Sequence, residues 1–256
     1  MELRAARSGN IQNFDQRKVR CQNETVESAK AARAPLMSKA ESPRAGARSA
    51  RLKRTNDPEG TRRDILEIAR QEFSQNGLSG ARIDVIAERT RTSKHMIYYY
   101  YGSKEGLYQA VLERAYTGIR EREGELDLEG LGPREALRRL VEVTFDYDQT
   151  HPDFVSLVSM ENLHRAQYLE SSTIRDINAV IIRRLEQILA QGVRLGLFRA
   201  DRDAIDVHMA ISSLCFFRVA NRYTFKALFK RDLLSPRVRA HHKRMIGDAI
   251  VGMLTP

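Results

Sequence analysis

The chain has 256 residues, and its 43 Lys and Arg against 33 Asp and Glu give a formal net charge of +10. This balance favours an acidic partner such as nucleic acid. Two cysteines are too few for the disulfide framework of a small secreted protein, and the N-terminus has no apolar signal-peptide core. The longest apolar run has nine residues, whereas a membrane span needs about 20. We therefore expect a soluble cytoplasmic protein with no membrane partner.

Residues 1–57 carry seven of the ten excess positive charges. Their few apolar side chains repeat at neither helical nor strand spacing, which predicts a disordered basic tail over residues 1–56. Two interpretations remain open. The tail is either an extension without function, with Met37 as an alternative start, or an arm that attracts phosphates. The first is favoured, because most charge runs are simply solvated.

Ordered structure is predicted to begin at Asp57, a good helix cap, which is followed by Pro58 at the favoured first position. Apolar side chains then recur at helical spacing until Gly77 ends the helix, namely Ile65, Ile68, Ala69 and Phe73. No strand-like alternation follows. The sequence therefore predicts an all-α fold after the tail.

Two short helices are predicted next, separated by a turn of only three residues, Arg91 to Ser93. Thr92 and Ser93 both have oxygens that can cap the second of these helices. This arrangement matches the helix-turn-helix pattern, whose second helix lies in the DNA major groove. One arc of that helix carries a cation, an imidazole and two phenols, from Lys94, His95, Tyr98 and Tyr99. Ser103 is expected to cap a fourth helix.

These residues resemble the TetR-type transcriptional regulators over about 50 positions. The matching residues include Arg63 to Ala69, Phe73, Gly77, Leu78, Ile86, Ala87, Ser93, Ile97, Tyr98, Tyr100, Tyr101 and Ser103 to Leu107. The resemblance implies a three-helix DNA-binding head over residues 57–103. It also implies a helical effector-binding and dimerisation body over residues 104–256, which begins with a long connecting helix.

The resemblance also implies which residues contact DNA. The residues matching Tyr98, Tyr100 and Lys104 usually contact phosphates, and those matching Lys94, His95 and Met96 usually face base edges. Arg82 is added as a cation that could reach a phosphate, and Thr92 and Ser93 are added as residues of the turn. The full predicted set of DNA contacts is Arg82, Thr92, Ser93, Lys94, His95, Met96, Tyr98, Tyr100 and Lys104. Tyr101, and with it Tyr99, is assigned to core packing instead.

One departure from the family pattern affects the turn itself. The family usually has Gly where this chain has Arg91. Glycine there commonly takes a positive φ, which Arg91 reaches only with strain. The turn geometry is therefore a point for the structure to test.

The body is predicted to contain helices over Pro133 to Thr150, from Pro152, over about Thr173 to Gly196, and two more from about Asp203 and from Pro236. In the family, the last two long helices form a four-helix bundle with a second copy. The apolar residues available for such a homodimer are Met209, Leu214, Phe216, Phe217 and Phe225. A symmetric dimer sets its reading helices about 34–36 Å apart, so the expected target is a near-palindromic double-stranded DNA operator.

An effector pocket is predicted among the first helices of the body, lined by Phe145, Phe154, Met160, Glu161 and His164. Glu161 and His164 lie one turn apart, as in di-iron helix bundles. Such a site needs that element twice, with two further Glu residues, and no second copy is present. We therefore expect no metal and no cofactor, and interpret the two side chains as a partly buried hydrogen-bonded pair.

Together these features predict a ligand-responsive transcriptional regulator, most often a repressor in this family, that a small-molecule effector releases from DNA. The sequence has no phosphate-binding Gly loop, nucleophile elbow or paired zinc ligands, so no enzyme activity is expected. Two alternatives stay open: a helical protein-interaction module, and an activator or effector-independent DNA-binding regulator.

Overall fold

The structure, a computed structural model, describes residues 57–170 and 172–256. Over these ranges it contains ten α-helices and no strand, which confirms the all-α prediction. The predicted disordered tail over residues 1–56 lies outside the described residues. The helices are α1 (Pro58–Gly80), α2 (Ile83–Arg89), α3 (Lys94–Tyr101), α4 (Lys104–Gly124), α5 (Pro133–Thr150), α6 (Pro152–Leu163), α7 (Ser172–Arg194), α8 (Ala204–Ala220), α9 (Arg222–Phe229) and α10 (Pro236–Leu254).

Three helix starts are fixed by side-chain caps that the sequence predicts. Asp57 accepts a hydrogen bond from the backbone N–H of Gly60 at 2.8 Å. Ser93 accepts one at 3.2 Å from Met96, and Ser103 accepts one at 3.0 Å from the fourth helix. Each bond satisfies an N–H that has no partner within its own helix.

Two features differ from the sequence-based boundaries. Gly77, the predicted end of the first helix, has a φ of 67° and kinks α1, but helical hydrogen bonding resumes up to Gly80. The sequence predicts two helices after residue 203, whereas the structure has three. Asn221 separates α8 from the short α9, which ends at Lys230 with a φ of 53°.

The core consists of two buried clusters. The first joins the three head helices to α4 and α6, and its largest buried members are Phe73, Ile86, Ile97, Leu107, Tyr108 and Leu157. The second is built by α5, α7, α8 and α10, with Leu137, Leu140, Phe145, Leu185, Cys215 and Leu254. The head therefore shares its core with the start of the body.

The head contacts the body at two separate places. α1 packs against α4, which follows the head directly, and also against α6. On the α6 side, Arg70 forms an ion pair with Asp153, and both side chains are largely buried. Nearby, the kink at Gly77 lies beside the Met160 sulfur. Within the described ranges, no helix combines the length and the apolar character that a membrane span requires.

Candidate DNA-binding face and buried sites

The helix-turn-helix is formed by α2, the turn after it and α3. Arg91 has a φ of 52°, so the turn keeps the left-handed conformation at the position where the family usually has Gly. The backbone N–H of Thr92 closes the turn by donating to the Ala87 carbonyl at 3.0 Å. α3 is then anchored on one side by Ile97, which is completely buried.

The opposite side of α3 is open to solvent. Tyr98 is 42% exposed and Tyr99 is 73% exposed, and Lys94 and His95 are exposed beside them. The prediction that Tyr99 packs in the core is wrong. At about 100° per residue, Tyr99 lies about 200° around the helix from the buried Ile97.

A carboxylate on α2 organises the cations of this face. Asp84 forms an ion pair with Lys94, and its other oxygen lies 3.8 Å from the Arg82 guanidinium. The hydrogen bond from Lys94 lowers the pKa of Asp84. Asp84 was not identified from the sequence, although its position one residue after the start of α2 places it beside the reading helix.

The remaining predicted contacts lie at the end of α3 and the start of α4. Tyr101 donates a hydrogen bond to the Arg62 carbonyl at 3.0 Å, and burial raises its pKa, in agreement with its assignment to packing. Tyr100 is half-buried, with the Arg62 guanidinium 5.8 Å from its ring centre. Lys104 donates to the Ser79 carbonyl at 3.3 Å. All nine DNA contacts remain predictions.

The structure does not bring the five predicted pocket residues together. Phe145 belongs to the second core cluster, whereas Phe154 and the buried Glu161 lie with the first. Met160 is half-buried and next to α1. His164 is exposed because α6 ends at Leu163, and within the described residues its ring makes no hydrogen bond. The expected pair of Glu161 with His164 is therefore not formed.

Glu161 instead lies among aromatic rings. Its side chain is 1% exposed, and Oε2 accepts a hydrogen bond from the backbone N–H of Tyr168 at 3.2 Å. Oε1 has no hydrogen-bond partner within the described chain. Burial and the nearby carboxylate raise the pKa of both Tyr108 and Tyr116. We call Glu161 with Tyr108, Tyr116, Phe154 and Tyr168 the Glu161 cage.

A second group of buried polar side chains joins α4 to α5, and we call Arg120, Glu123, Thr144 and Asp148 the Arg120 cluster. Arg120 and Glu123 form an almost fully buried ion pair. The Thr144 hydroxyl lies 3.3 Å from the other oxygen of Glu123 and 3.1 Å from the Leu140 carbonyl oxygen, so its one proton is shared between these two acceptors. Burial raises the pKa of Glu123 in spite of Arg120. Nε of Arg120 is buried without a hydrogen-bond partner in the described part of the chain.

Burial and nearby charges shift the pKa values of groups within the Arg120 cluster and beside it. Burial, with the nearby Glu123 charge, raises the pKa of Asp148 to about 7. Burial and Arg120 lower the pKa of His208 on α8 to about 4. Arg218 lies against the Phe145 ring, 3.9 Å from its centre, and donates to the Leu233 carbonyl at 2.9 Å. No role was assigned to these charged residues from the sequence.

A surface depression of about 380 Å³ lies where the α4–α5 connection meets α7. Arg184 borders it and donates to the carbonyls of Glu123 and Leu126, which ties the end of α4 to α7. None of the five predicted pocket residues lines this depression. Its walls are Leu126, Asp127, Leu128, Glu129, Leu131, Ala136, Arg184, Gln187, Ile188 and Gln191.

One face of α8 is apolar and uncovered. Met209 is 61% exposed and Phe217 is 51% exposed, with the partly exposed Leu214 between them. Phe225 on α9 extends this face, because its ring meets the Phe217 ring edge-on at a centre-to-centre distance of 5.6 Å. Phe216, the fifth residue predicted for a dimer contact, is half-buried against the first core cluster instead.

The described residues contain no group of three or more His, Cys, Asp or Glu side chains arranged to hold a metal ion. Cys215 is completely buried, and its thiol lies 3.9 Å from the Val141 carbonyl oxygen. Burial raises the pKa of this thiol. A protonated, buried thiol is unreactive.

Comparison with known protein families matches both halves of the described structure. The family described as "Bacterial regulatory proteins, tetR family" matches residues 65–111, which cover the helix-turn-helix and the start of α4. The family described as "Tetracyclin repressor-like, C-terminal domain" matches residues 133–250, from the start of α5 to near the end of α10.

Individual proteins are similar over most or part of the chain. The HTH-type transcriptional repressor NicS of Pseudomonas putida is 35% identical over 196 residues, 76% of this chain and 92% of NicS. The HTH-type transcriptional repressor SCO4008 of Streptomyces coelicolor is 36% identical over 109 residues, 42% of this chain and 52% of that protein.

Among solved structures, the transcriptional regulator SCO4942 of Streptomyces coelicolor aligns with a TM-score of 0.60 and 28% identity. The alignment covers 77% of this chain and 99% of SCO4942. Sequence, domain order and fold agree, and the chain belongs to the TetR family of transcription regulators.

Proposed function

We propose that the protein is a transcriptional repressor that binds a near-palindromic DNA operator as a homodimer and is released by a small-molecule effector. The observation that carries the proposal is the open face of α3. The buried Ile97 anchors that helix in the core, while Tyr98, Lys94 and His95 are exposed to solvent. A helix presented in this way fits the major groove, with its neighbours on phosphates.

The exposed face of α8 supports the dimer. Met209, Leu214 and Phe217 leave apolar area in water that a second copy of the same face removes. Isologous pairing presents the two copies of α3 on one side of the molecule. The operator then contains two inverted half-sites, and such a regulator acts in the cytoplasm without any catalytic group.

The position of α4 supports the regulated release. This helix begins directly after the head, and its inner side carries Tyr108, Tyr116 and Arg120 towards the buried interior of the body. A ligand that displaces the inner side of α4 moves the head that α4 follows, and so changes the distance between the two heads of the dimer. Both half-sites are then no longer engaged together, and affinity falls.

The deciding experiment is selection of the full chain from random double-stranded DNA at defined salt. We expect enrichment of one palindrome. Enrichment of a single, non-repeated half-site contradicts the dimer, and binding without enrichment contradicts sequence-specific reading by α3. Absence of any salt-dependent binding favours the protein-interaction alternative.

Variants then test the face itself on the selected operator. Lys94→Ala or Arg82→Ala should weaken binding and reduce the salt slope by about one for each phosphate that the removed cation neutralises. Asp84→Asn should strengthen binding, because it removes a negative charge from the DNA-facing surface and frees both cations. Arg139→Ala on the exposed side of α5 removes the same charge away from the face and should behave as wild type.

A further inference from the structure

Glu161 is a buried carboxylate that lacks a cationic partner. It is 1% exposed, and within the described chain no Lys, Arg or His forms an ion pair with it. Oε2 accepts the backbone N–H of Tyr168, the Tyr108 hydroxyl lies near the carboxylate, and Oε1 has no hydrogen-bond partner within the described chain. A buried carboxylate without a counter-ion is costly, and a cation placed beside it lowers that cost.

The groups around this carboxylate are aromatic rings from three segments. Tyr108 and Tyr116 come from α4, Phe154 from α6, and Tyr168 from the connection after α6. The Tyr108 and Tyr168 rings meet edge-on with centres 5.4 Å apart, and those of Tyr116 and Phe154 are 5.5 Å apart. Glu161 raises the pKa of both Tyr108 and Tyr116, and it is close enough to Tyr108 to share a side-chain hydrogen bond with its hydroxyl.

A buried carboxylate with aromatic side chains nearby is suited to one class of ligand. The faces of aromatic rings attract positive charge, and desolvation strengthens that attraction. An anionic ligand meets repulsion from Glu161, and a neutral apolar ligand leaves Oε1 without a partner. An ammonium group or a protonated nitrogen heterocycle satisfies the rings and the carboxylate together.

The segment that covers the cage is held in a costly conformation. Arg165 and Ala166 have φ values of 61° and 58°, a left-handed region that residues with a Cβ rarely adopt. The same segment brings the backbone N–H of Tyr168 to Glu161, where it donates a hydrogen bond to Oε2. A ligand that displaces Tyr168 therefore gains access to Glu161 and relieves backbone strain at the same time.

We propose that the Glu161 cage binds a small organic cation and that this cation is the effector of the protein. The second part rests on the proposed function above, whereas the first part stands by itself. Occupancy of the cage acts on the two places where the head is attached. Tyr108 and Tyr116 are on α4, and Met160, next to Glu161, lies against α1 at Gly77.

The first test measures binding to the full chain by thermal unfolding and by titration calorimetry. The probes are tetramethylammonium, benzyltrimethylammonium and N-methylpyridinium, with benzyl alcohol and benzoate as neutral and anionic counterparts. We expect at least one cation at millimolar concentration to raise the unfolding temperature and to titrate with one site per chain. No response to any cation, or an equal response to benzoate, overturns the proposal.

Variants locate the site. Glu161→Gln keeps the shape of the side chain but removes its charge, and should weaken cation binding by about tenfold or more. Glu170→Gln removes a nearby exposed charge and should leave the affinity unchanged. Tyr116→Phe keeps the ring face and should bind like wild type, whereas Tyr116→Leu should not. Retention of wild-type affinity by Glu161→Gln overturns the assignment.

The effector role is tested separately with operator DNA from the selection. If the cation that binds the cage also releases the DNA, and Glu161→Gln is released only at about tenfold higher concentration, both proposals stand. If the cation binds but the DNA remains bound, the cage stands and its effector role is refuted. If no operator is selected, the proposed function fails, while the binding measurement still decides the cage.

Discussion

Glu123 and Glu161 are two buried carboxylates on helices that pack into the same body, yet they differ in the partners that surround them. Glu123 has a guanidinium and a hydroxyl as partners inside the Arg120 cluster. Glu161 has one backbone N–H and a ring of aromatic side chains. Burial alone therefore does not distinguish a charged group that stabilises the fold from one that is available to a ligand. The number and type of its hydrogen-bond and ion-pair partners make that distinction.

The difference has an energetic consequence. Removing one member of a partnered buried pair leaves the other charge uncompensated, which is strongly destabilising. Removing a charge that has no counter-ion leaves nothing uncompensated and relieves a desolvation cost. The following substitutions apply this contrast, in order of expected effect.

The largest effect is expected from Glu123→Leu. It leaves Arg120 buried without its carboxylate and should lower the free energy of unfolding by about 3–5 kcal/mol, measured by urea denaturation. The double variant Arg120→Met with Glu123→Leu removes both charges and should recover most of that loss. Equal destabilisation of the single and the double variant would show that Glu123 acts by packing alone.

Asp148 gives the cluster a pH dependence. Its pKa of about 7 lies above the ordinary 3.8, so the folded state holds a proton that the unfolded chain has lost between these values. Stability contributed by this group is present at low pH and is lost as the pH rises from about 4 to about 7. Asp148→Asn should therefore gain stability over wild type across this window, reaching about 2–4 kcal/mol at pH 7. A constant difference contradicts the shift.

His208 should act with the opposite sign in nearly the same window. Its pKa of about 4 lies below the ordinary 6.5, so the unfolded chain takes up a proton that the folded state refuses. Wild type therefore loses stability as the pH falls from about 6.5 to about 4. His208→Gln should not share this loss, so its free energy of unfolding, relative to wild type, should rise by about 1–3 kcal/mol on going to pH 4. Chemical denaturation at several pH values measures it, and a difference that grows upward in pH refutes it.

Thr144→Val tests the neutral partner of Glu123. It removes a hydroxyl that donates to a buried carboxylate while keeping the volume, and should cost about 1–2 kcal/mol in urea unfolding. Thr144→Ser retains the hydroxyl and should cost less than the Val variant. The reverse order would assign the role of Thr144 to its methyl group.

The smallest effect is expected from Glu161→Gln. Glu161 has no counter-ion that its removal leaves unpaired, and the desolvation cost that is relieved is offset by burying the N–H groups of the Gln amide, so the free energy of unfolding should change by less than about 1 kcal/mol. This result, beside the large loss in Glu123→Leu, would establish the contrast between the two carboxylates. A loss comparable with that of Glu123→Leu would show that Glu161 stabilises the fold through a partner.

The features that sequence predicted well are set by neighbours in the chain. Asp57, Ser93 and Ser103 cap their helices because a cap bonds to an N–H only three residues away. The turn at Arg91 was left open by the sequence, because a residue with a Cβ reaches a positive φ only with strain, and the structure shows that Arg91 adopts it. The helix break at Asn221, by contrast, is not marked by a Gly or a Pro in the sequence.

The buried sites depend on contacts between residues far apart in the chain. Arg120, Glu123 and Asp148 resemble solvent-facing charges on amphipathic helices, and only the packing of α4 against α5 buries them. Glu161 was selected from the sequence, but it was paired with His164, which is exposed after the end of α6. The rings of the cage come from residues 108 to 168, a combination that no local pattern reveals.

The double attachment of the head restricts how it can move. α1 is held to α6 by Arg70 with Asp153 near the start of α6 and by Gly77 against Met160 near the end of α6, while α4 continues directly from the head. The head therefore contacts two helices of the body that are separate in the chain, α4 and α6. A shift of either helix should therefore change the orientation of α3, and a shift of one alone should be opposed by the other.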